Sequence, residues 1–168
     1  MTTPPTQAEN EPTESFIGHA LVFAAIRLAL NTAHRMVYPF LAVFSRGFGV
    51  SLAAFSIAMT ARGVFGAFGP FLAIIADWRG RKTGMLAGLG IFTAGTALVV
   101  FWPTFPVFLL ALALTMLGKY VFDPSMQAYL GDRVPYQQRG RTMAVTEFGW
   151  SLSFIIGVPA MGFLIDSQ

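Results

Sequence analysis

Five long apolar runs dominate the chain and limit the folds that are open to it. They lie near residues 16–43, 52–75, 83–102, 105–130 and 143–165. A helix needs about 20 predominantly apolar residues to cross the hydrocarbon core of a bilayer, and each run reaches that length. No run has the alternating pattern of a barrel strand. The sequence therefore predicts an all-α, polytopic membrane bundle, with the membrane domain at 16–168.

Composition and residue usage exclude most other classes of protein. Hydrophobic residues make up 55% of the chain and charged residues only 11%, which is far too apolar for a soluble domain. The chain has no cysteine, and its two histidines lack a second ligand at metal-binding spacing. It carries no nucleophile-and-base motif, no phosphate-binding loop and no basic patch with interleaved aromatics. We therefore expect no enzymatic activity, no metal, no cofactor and no nucleic-acid partner.

Basic residues between the apolar runs indicate how the chain is oriented. Arg79, Arg81 and Lys82 lie in one connection, and only Arg46 lies in a connection on the opposite side. A second basic group lies between the fourth and fifth runs, at Arg133, Arg139 and Arg141. Because cytoplasmic loops carry an excess of Lys and Arg, both basic connections should face the cytoplasm. This predicts a multi-pass protein of the cell membrane, with its N-terminus inside and the end of the fifth run outside.

Residues 1–15 differ from the rest of the chain. They are polar, contain three prolines and three glutamates, and lack the basic region of a signal peptide. We expect them to form a short disordered tail on the cytoplasmic side.

The connection between the second and third runs carries a distinctive motif. A carboxylate is followed by a glycine turn and three basic residues, in the sequence Ala73-Ile-Ile-Ala-Asp77-Trp78-Arg79-Gly80-Arg81-Lys82. This motif resembles the signature loop of the major facilitator superfamily of secondary transporters, roughly G-x-L-A-D-R-x-G-R-[RK]. Ala73 and Trp78 depart from that pattern, whereas four positions fit it: Asp77, Gly80, Arg81 and Lys82.

A second connection, from Gly131 to Arg141, also resembles a loop of the superfamily. The resemblance implies that the two loops form a cytoplasmic gating region, to which Asp132 would belong. We expect Asp132 to pair with Arg79 or Arg81. An exposed pair of this kind is worth only about 0–1 kcal/mol, but a network of several could bias which side of a transporter is closed.

The resemblance covers the chain from about residue 16 and implies both a fold and a function. The fold would be the first five helices of a six-helix half, with the third helix at the periphery and the other four around the substrate path. The function would be transport of a small solute across the bilayer by alternating access. Members usually carry twelve helices, so we expect a truncated transporter, inactive alone, whose missing C-terminal helices must come from the same chain or in trans.

Charged residues inside the apolar runs carry the functional prediction. Each costs about 2.5–3.5 kcal/mol at the centre of a membrane helix, so it needs a partner or a wet cavity. Arg27, Asn31 and Arg35 follow one another at four-residue spacing and therefore share one helix face. Arg27 lies roughly 16 Å into its run, close to the midplane of the bilayer. This face should line a polar interior.

The other intramembrane charges complete that predicted interior. Lys119, Asp123 and Gln127 form a second stripe at four-residue spacing. Glu147 lies early in the fifth run, and Arg62 lies in the middle of the second. Removal from water disfavours the charged form of a carboxylate, so Asp123 and Glu147 are the candidate proton-coupling residues. The candidate substrate residues are Arg27, Asn31, Arg35, Arg62, Lys119 and Gln127.

The substrate and the direction of transport stay open at this point. The element Gly157-x-Pro159-x-x-Gly162 looks like a degraded antiporter motif and favours efflux by proton exchange, although a proline kink accounts for it equally. Four intramembrane basic residues against two acidic ones make uptake or exchange of an anionic metabolite an alternative. In a third possibility, the charges form a structural ion-pair network in a membrane subunit that transports nothing.

Overall fold

The computed structural model describes residues 13–66, 71 and 80–167, and every regular element among them is helical. The prediction of an all-helical membrane bundle is confirmed. The elements, in chain order, are α1 (Thr13–Arg35), α2 (Leu41–Gly47), α3 (Leu52–Gly66), α4 (Arg81–Phe101), α5 (Phe105–Arg133), α6 (Tyr136–Leu152), a π-helical turn (Ser153–Gly157) and α7 (Val158–Asp166).

Four helical stretches in the described part of the chain are long and apolar enough to cross a bilayer. They are α1, α4, α5 and the continuous stretch from α6 through the π-helical turn to α7. The short helix α2 and the first part of α3 meet at an angle of 114° and give a fifth candidate if they are counted as one span. The predicted second run, 52–75, continues beyond Gly66 outside the described residues.

The first run is not one helix from 16 to 43, as the sequence predicted. The helix α1 ends at Arg35, residues 36–40 form a turn, and α2 follows. Pro39 explains the break, because proline has no N–H to donate and disfavours the helical conformation of Tyr38 before it. Within the turn, Tyr38 donates its N–H to the carbonyl of Arg35, only three residues back.

The connection predicted at 131–141 is also much shorter than expected. The helix α5 continues to Arg133, and α6 begins at Tyr136, so only Val134 and Pro135 separate the two helices. Residues 131–133 of this stretch end α5, and residues 136–141 form the first turns of α6. Glutamine and arginine are good helix formers, and at the membrane surface their polar groups reach water.

The central helix of the bundle is α5, which is also the most buried of the spanning stretches. It contacts α4 along most of its length, where Gly88 and Gly118 face each other. A Cβ atom added at Gly118 would lie 2.6 Å from the carbonyl oxygen of Gly88. Among the described helices, α4 packs extensively only against α5, which fits the predicted peripheral place of the third run.

A second close pair is formed by α1 and α6. Gly149 lies directly against the backbone of Ala24, and Gly157 in the π-helical turn lies against Thr32. The missing side chains bring the two helices close together, as small residues do in membrane bundles. This pairing places the polar faces of α1 and α6 next to each other.

Two apolar clusters anchor α5 to its neighbours. One joins α1, α4 and α5 through residues that include Leu30, Phe92 and Phe122. The other joins the turn after α1 to α3 and α5 and includes phenylalanine rings that contact one another at tilted angles, with centroids 4.9–6.0 Å apart. Those rings belong to Phe44, Phe48, Phe55, Phe105 and Phe108. The polar residues predicted to line the interior face the space between α1, α5 and α6.

Candidate functional site

Arg27 joins carboxylates from two other helices. Its Nη1 donates a hydrogen bond to Oε1 of Glu147 on α6, and its Nε lies 3.5 Å from Oδ1 of Asp123 on α5. The link to Asp123 is the looser of the two, since neither of its atoms completes a hydrogen bond. The side chain of Arg27 is only 5% exposed, so this ion-pair cluster is sheltered at its centre.

Asp123 has a second cationic partner on its own helix. Lys119 Nζ donates to Asp123 Oδ2 at 2.5 Å, one turn away along α5. Both side chains are largely buried, whereas the side chain of Glu147 is 52% exposed. Arg27, Lys119, Asp123 and Glu147, here called the ion-pair cluster, carry two positive and two negative formal charges. The cluster is therefore neutral as a whole, and Glu147 is its accessible member.

Asn31 supports the backbone beside this cluster. Its Nδ2 donates to the carbonyl oxygen of Arg27 at 2.7 Å, one turn back along α1, and the residue is 1% exposed. Its Oδ1 is buried without a hydrogen-bond partner. An amide that bonds to its own helix helps to hold the local geometry around Arg27.

Arg35 lies between two aromatic rings of the α6 span. Its guanidinium carbon is 4.1 Å from the ring centroid of Trp150 and 3.9 Å from that of Phe154. Such distances are typical of cation–π contacts, which hold a guanidinium over a ring without neutralising its charge. Its Nη1 is buried and has no hydrogen-bond partner.

Arg62 on α3 reaches the same region through His34. Its Nη2 lies 2.9 Å from Nδ1 of His34, and its guanidinium carbon is 5.7 Å from the ring centroid of Tyr38. Arg62 is 4% exposed, and its Nη1 also lacks a hydrogen-bond partner. A buried arginine of α3 thus contacts His34, the residue that precedes Arg35 on α1.

Several of these residues line an open cavity of about 660 Å³. Its walls come from α1, α5, α6 and the segments next to them, and its lining residues are mostly polar or aromatic: Asn31, His34, Arg35, Tyr38, Pro39, Lys119, Tyr120, Trp150, Phe154 and Val158. Its volume lies in the range typical of small-molecule sites, which is roughly 300–1,000 Å³. We call it the central cavity.

The structure therefore brings most of the predicted substrate residues together. Arg27, Asn31, Arg35 and Lys119 lie in or beside the central cavity, and Arg62 touches it through His34. Gln127 does not join them. It lies one turn beyond Asp123 on α5, is exposed and does not line the cavity.

Several residues of the cavity wall were not singled out by sequence. Trp150 and Phe154 lie three and seven residues after Glu147, so all three share one face of the α6 span. That spacing was a usable signal, because Glu147 had already been assigned to the interior. His34 follows Asn31 by three residues and therefore lies beside the polar face of α1, whereas Tyr120 gives no such signal, since only the packing of α5 against α1 brings it to the cavity.

The predicted gating residues lie at the end of the bundle where α4 begins and α5 ends. Arg81 Nε donates to Oδ2 of Asp132 at 3.3 Å, which is one of the two pairings expected for this aspartate. Lys82 lies beside this pair, and Gly80 has a φ of 92°, a conformation that favours glycine. Asp77 and Arg79 lie outside the described residues.

Replacing Asp132 by asparagine should have only a small effect on stability. The side chains of Arg81 and Asp132 are 35% and 63% exposed, so water already screens the pair. We expect Asp132→Asn to change the free energy of unfolding by less than about 1 kcal/mol. Thermal unfolding of the purified variant beside the native protein checks this. A clearly larger loss would mean that Asp132 holds more than one exposed arginine.

Comparison with known proteins places the whole membrane region in one family. Residues 17–168 match the Major Facilitator Superfamily. The uncharacterized MFS-type transporter YwfA of Bacillus subtilis (strain 168) is 32% identical over 137 residues, which is 81% of this chain and 33% of that protein. The inner membrane transport protein YdhP of Escherichia coli (strain K12) is 28% identical over 150 residues, or 88% of this chain and 39% of that protein. No solved structure matches the chain.

The family match and the structure both indicate a membrane protein with several spanning helices. The chain spans between a third and two fifths of the length of these two relatives. Apart from the first residues of α1, the matched region contains every membrane-length helix of the described residues. The chain is a multi-pass membrane protein and belongs to the Major Facilitator Superfamily.

Proposed function

We propose that this chain contributes part of the substrate path of a proton-coupled transporter, which moves a small solute across the plasma membrane by alternating access. Family membership supports membrane transport, and the names of the relatives describe transporters. The observation that carries the proton coupling is that the ion-pair cluster and the wall of the central cavity share one helical stretch. Glu147, Trp150 and Phe154 all belong to the span that starts at Tyr136.

The proposed coupling follows from the contacts of Glu147. When ionised, Glu147 accepts a hydrogen bond from Arg27 and links α6 to α1. A proton on this carboxylate removes its charge and most of its attraction to Arg27, while Asp123 and Lys119 still form an ion pair. Proton binding then loosens α6 beside the cavity that Trp150 and Phe154 line. Solute and proton therefore act on the same helix.

Asp123 has the second place in this scheme. Its carboxylate lies between Arg27 and Lys119, so it can take up the attraction of Arg27 when Glu147 becomes neutral. The exposed carboxylate of Glu147 exchanges the proton with water, and the buried carboxylate of Asp123 compensates the charges of Arg27 and Lys119. This division of roles follows the difference in exposure, 52% for the side chain of Glu147 against 16% for that of Asp123.

Removing either carboxylate should abolish proton coupling. Glu147→Gln and Asp123→Asn both keep the size of the side chain. Glu147→Gln cannot bind and release the proton, and Asp123→Asn cannot compensate Arg27 and Lys119 when Glu147 is neutral. The complete protein is placed in vesicles that hold a pH gradient, and candidate solutes are added one at a time. Solutes that dissipate the gradient only when the native protein is present are kept as transported solutes. We expect none of these solutes to dissipate it through either variant, whereas downhill solute exchange persists.

Asp132→Asn is the matched control for this experiment, because it removes a carboxylate of the same chain outside the ion-pair cluster. It should retain the native coupling. If Glu147→Gln and Asp123→Asn also retained it, the assignment of the coupling residues would be wrong. The ion-pair cluster would then be structural, and exchanging the charges of Arg27 and Glu147 should restore both protein level and transport.

The direction of transport and the orientation of the termini remain sequence-based proposals. Efflux by proton exchange rests on Gly157, Pro159 and Gly162, and Gly157 also has a packing role, since it lies against Thr32 of α1. The N-terminus is proposed to be cytoplasmic because of the basic connections. The remaining helices of the transporter would supply the opposite wall of the cavity, in line with the construction of such transporters from structural repeats.

A further inference from the structure

The positive charges beside the central cavity are only partly compensated. Arg27 and Lys119 are matched by Glu147 and Asp123 within the ion-pair cluster. Over the ranges that the structure describes, no carboxylate lies within ion-pair distance of Arg35 or Arg62. Arg35 lines the cavity, and Arg62 lies behind its wall in contact with His34, so two uncompensated formal charges lie at or next to this cavity. Arg62 is 4% exposed, and a buried charge without a partner is strongly unfavourable, so this surplus favours an anion.

The unused hydrogen-bond donors of the two arginines also favour an anion. Arg35 and Arg62 each keep a buried Nη1 without a hydrogen-bond partner. Their other described contacts are with aromatic rings and with the imidazole of His34, which carry no negative charge that could neutralise them. Guanidinium groups bind carboxylates and phosphates through parallel N–H donors, and these two have donors to spare.

The cavity walls define the rest of the ligand. Tyr38, Tyr120, Trp150 and Phe154 supply four aromatic rings around the arginines. Aromatic walls of this kind fit a flat apolar body, and the volume of about 660 Å³ accommodates one or two rings. A small, strongly hydrated inorganic anion would gain nothing from the aromatic part of these walls.

We infer that the central cavity binds an organic anion with a carboxylate head group and an aromatic or flat apolar body. This inference rests on the proposed function, because it names the substrate class of the same cavity. The head group lies at Arg35 and Arg62, and the body lies against Trp150 and Phe154. The cavity would bind this anion whichever way the solute moves across the membrane.

Benzoate binding to the purified complete protein tests this inference, with thermal unfolding and tryptophan fluorescence as readouts. Trp150 lines the cavity and reports on a ring placed beside it. Benzoate should stabilise the protein and change its fluorescence. Benzyl alcohol, which has the same ring without the charge, should require a concentration at least about tenfold higher, and acetate, which has the charge without the ring, should also bind weakly.

Three arginine variants locate the head group. Arg35→Gln and Arg62→Gln should each weaken benzoate binding at least about tenfold. Arg46→Gln is the matched control, because Arg46 is exposed on α2 and neither lines the cavity nor, unlike Arg62, contacts His34 of its wall, so binding should be unchanged. If a glutamine variant fails to fold, Arg35→Lys or Arg62→Lys keeps the charge and should retain the preference for benzoate over benzyl alcohol.

The inference is overturned if benzoate binds no better than benzyl alcohol, if both glutamine variants bind it as the native protein does, or if benzylamine binds more tightly than benzoate. The gradient assay separates this failure from that of the proposed function. Coupled transport of other solutes without benzoate binding would overturn only the substrate class. Benzoate binding that depends on the arginines, without any coupling at Glu147 or Asp123, would overturn only the proton coupling.

Discussion

Arg27→Leu is expected to abolish proton-coupled transport and to lower the free energy of unfolding by about 3 kcal/mol. The substitution leaves the carboxylates of Asp123 and Glu147 without the cation that links them, in a site where Arg27 itself is only 5% exposed. Asp123 keeps Lys119, and Glu147 is half exposed, so the loss should lie at the lower end of the range for broken buried pairs. Thermal unfolding and the vesicle assay measure the two effects.

A double variant separates the structural part of this effect from the functional part. Combining Arg27→Leu with Glu147→Gln removes one positive and one negative charge and leaves the pair of Lys119 with Asp123 intact. Replacing a buried ion pair by uncharged groups is often neutral for stability. We therefore expect stability to recover in the double variant while coupling stays absent. Native transport in the Arg27→Leu variant would contradict this account, and Arg46→Leu serves as the control for loss of an arginine.

Gly118→Leu is expected to prevent α4 and α5 from packing and to remove most of the folded protein from the membrane. Even the Cβ atom of an alanine at this position would lie 2.6 Å from the carbonyl oxygen of Gly88 and 2.7 Å from the backbone nitrogen of Phe92. Both neighbours are backbone atoms, which cannot move aside without shifting a helix. We expect Gly118→Ala to cost about 1–3 kcal/mol and leucine to cost more.

Gly90→Ala is the matched control for that prediction. Gly90 lies on α4, next to Leu89, which packs against the apolar cluster of α1, α4 and α5. A Cβ atom added at Gly90 meets nothing within 4 Å. Size-exclusion chromatography in detergent and thermal unfolding compare the variants. Native behaviour of the Gly118→Leu variant would show that the close contact of α4 and α5 is not needed for folding.

The intramembrane charges were predictable as a set because the bilayer penalises each of them strongly. The four-residue spacing of Arg27 with Asn31, and of Lys119 with Asp123, placed the right faces toward the interior. The pairing of Arg27 with Glu147 could not be predicted in the same way. It depends on how α1 and α6 are rotated against each other, which is set by the contact of Gly149 with Ala24.

The errors in the predicted helices have local causes. Apolarity alone extended the first run to residue 43, although Pro39 breaks the helix while the chain stays apolar. Charge alone made 131–141 look like a loop, although a helix whose first turns lie at the membrane surface tolerates the same arginines. In both cases, hydropathy indicates where the chain meets water, whereas the helix boundaries depend on backbone conformation and helix propensity.

The aromatic wall of the cavity shows a third limit of prediction. Trp150 and Phe154 carry no charge, and an aromatic residue in a membrane helix contacts lipid as readily as it contacts a ligand. Their spacing from Glu147 places them on its helix face, and the position of Arg35 between their rings, at 4.1 and 3.9 Å, assigns them to the cavity. Gln127 illustrates the opposite case, in which a polar residue on the correct stripe lies outside the cavity because it is one turn too far along α5.

Infrared difference spectroscopy on the purified complete protein, comparing neutral with mildly acidic pH, tests the central claim most directly. It detects the C=O stretch of a carboxyl group that gains a proton and needs no knowledge of the solute. The account predicts a carboxyl band in the native protein and in Asp132→Asn, and a loss of that band in Glu147→Gln. A band that stayed the same in Glu147→Gln and in Asp123→Asn would show that the proton binds elsewhere, and would contradict the proposed coupling.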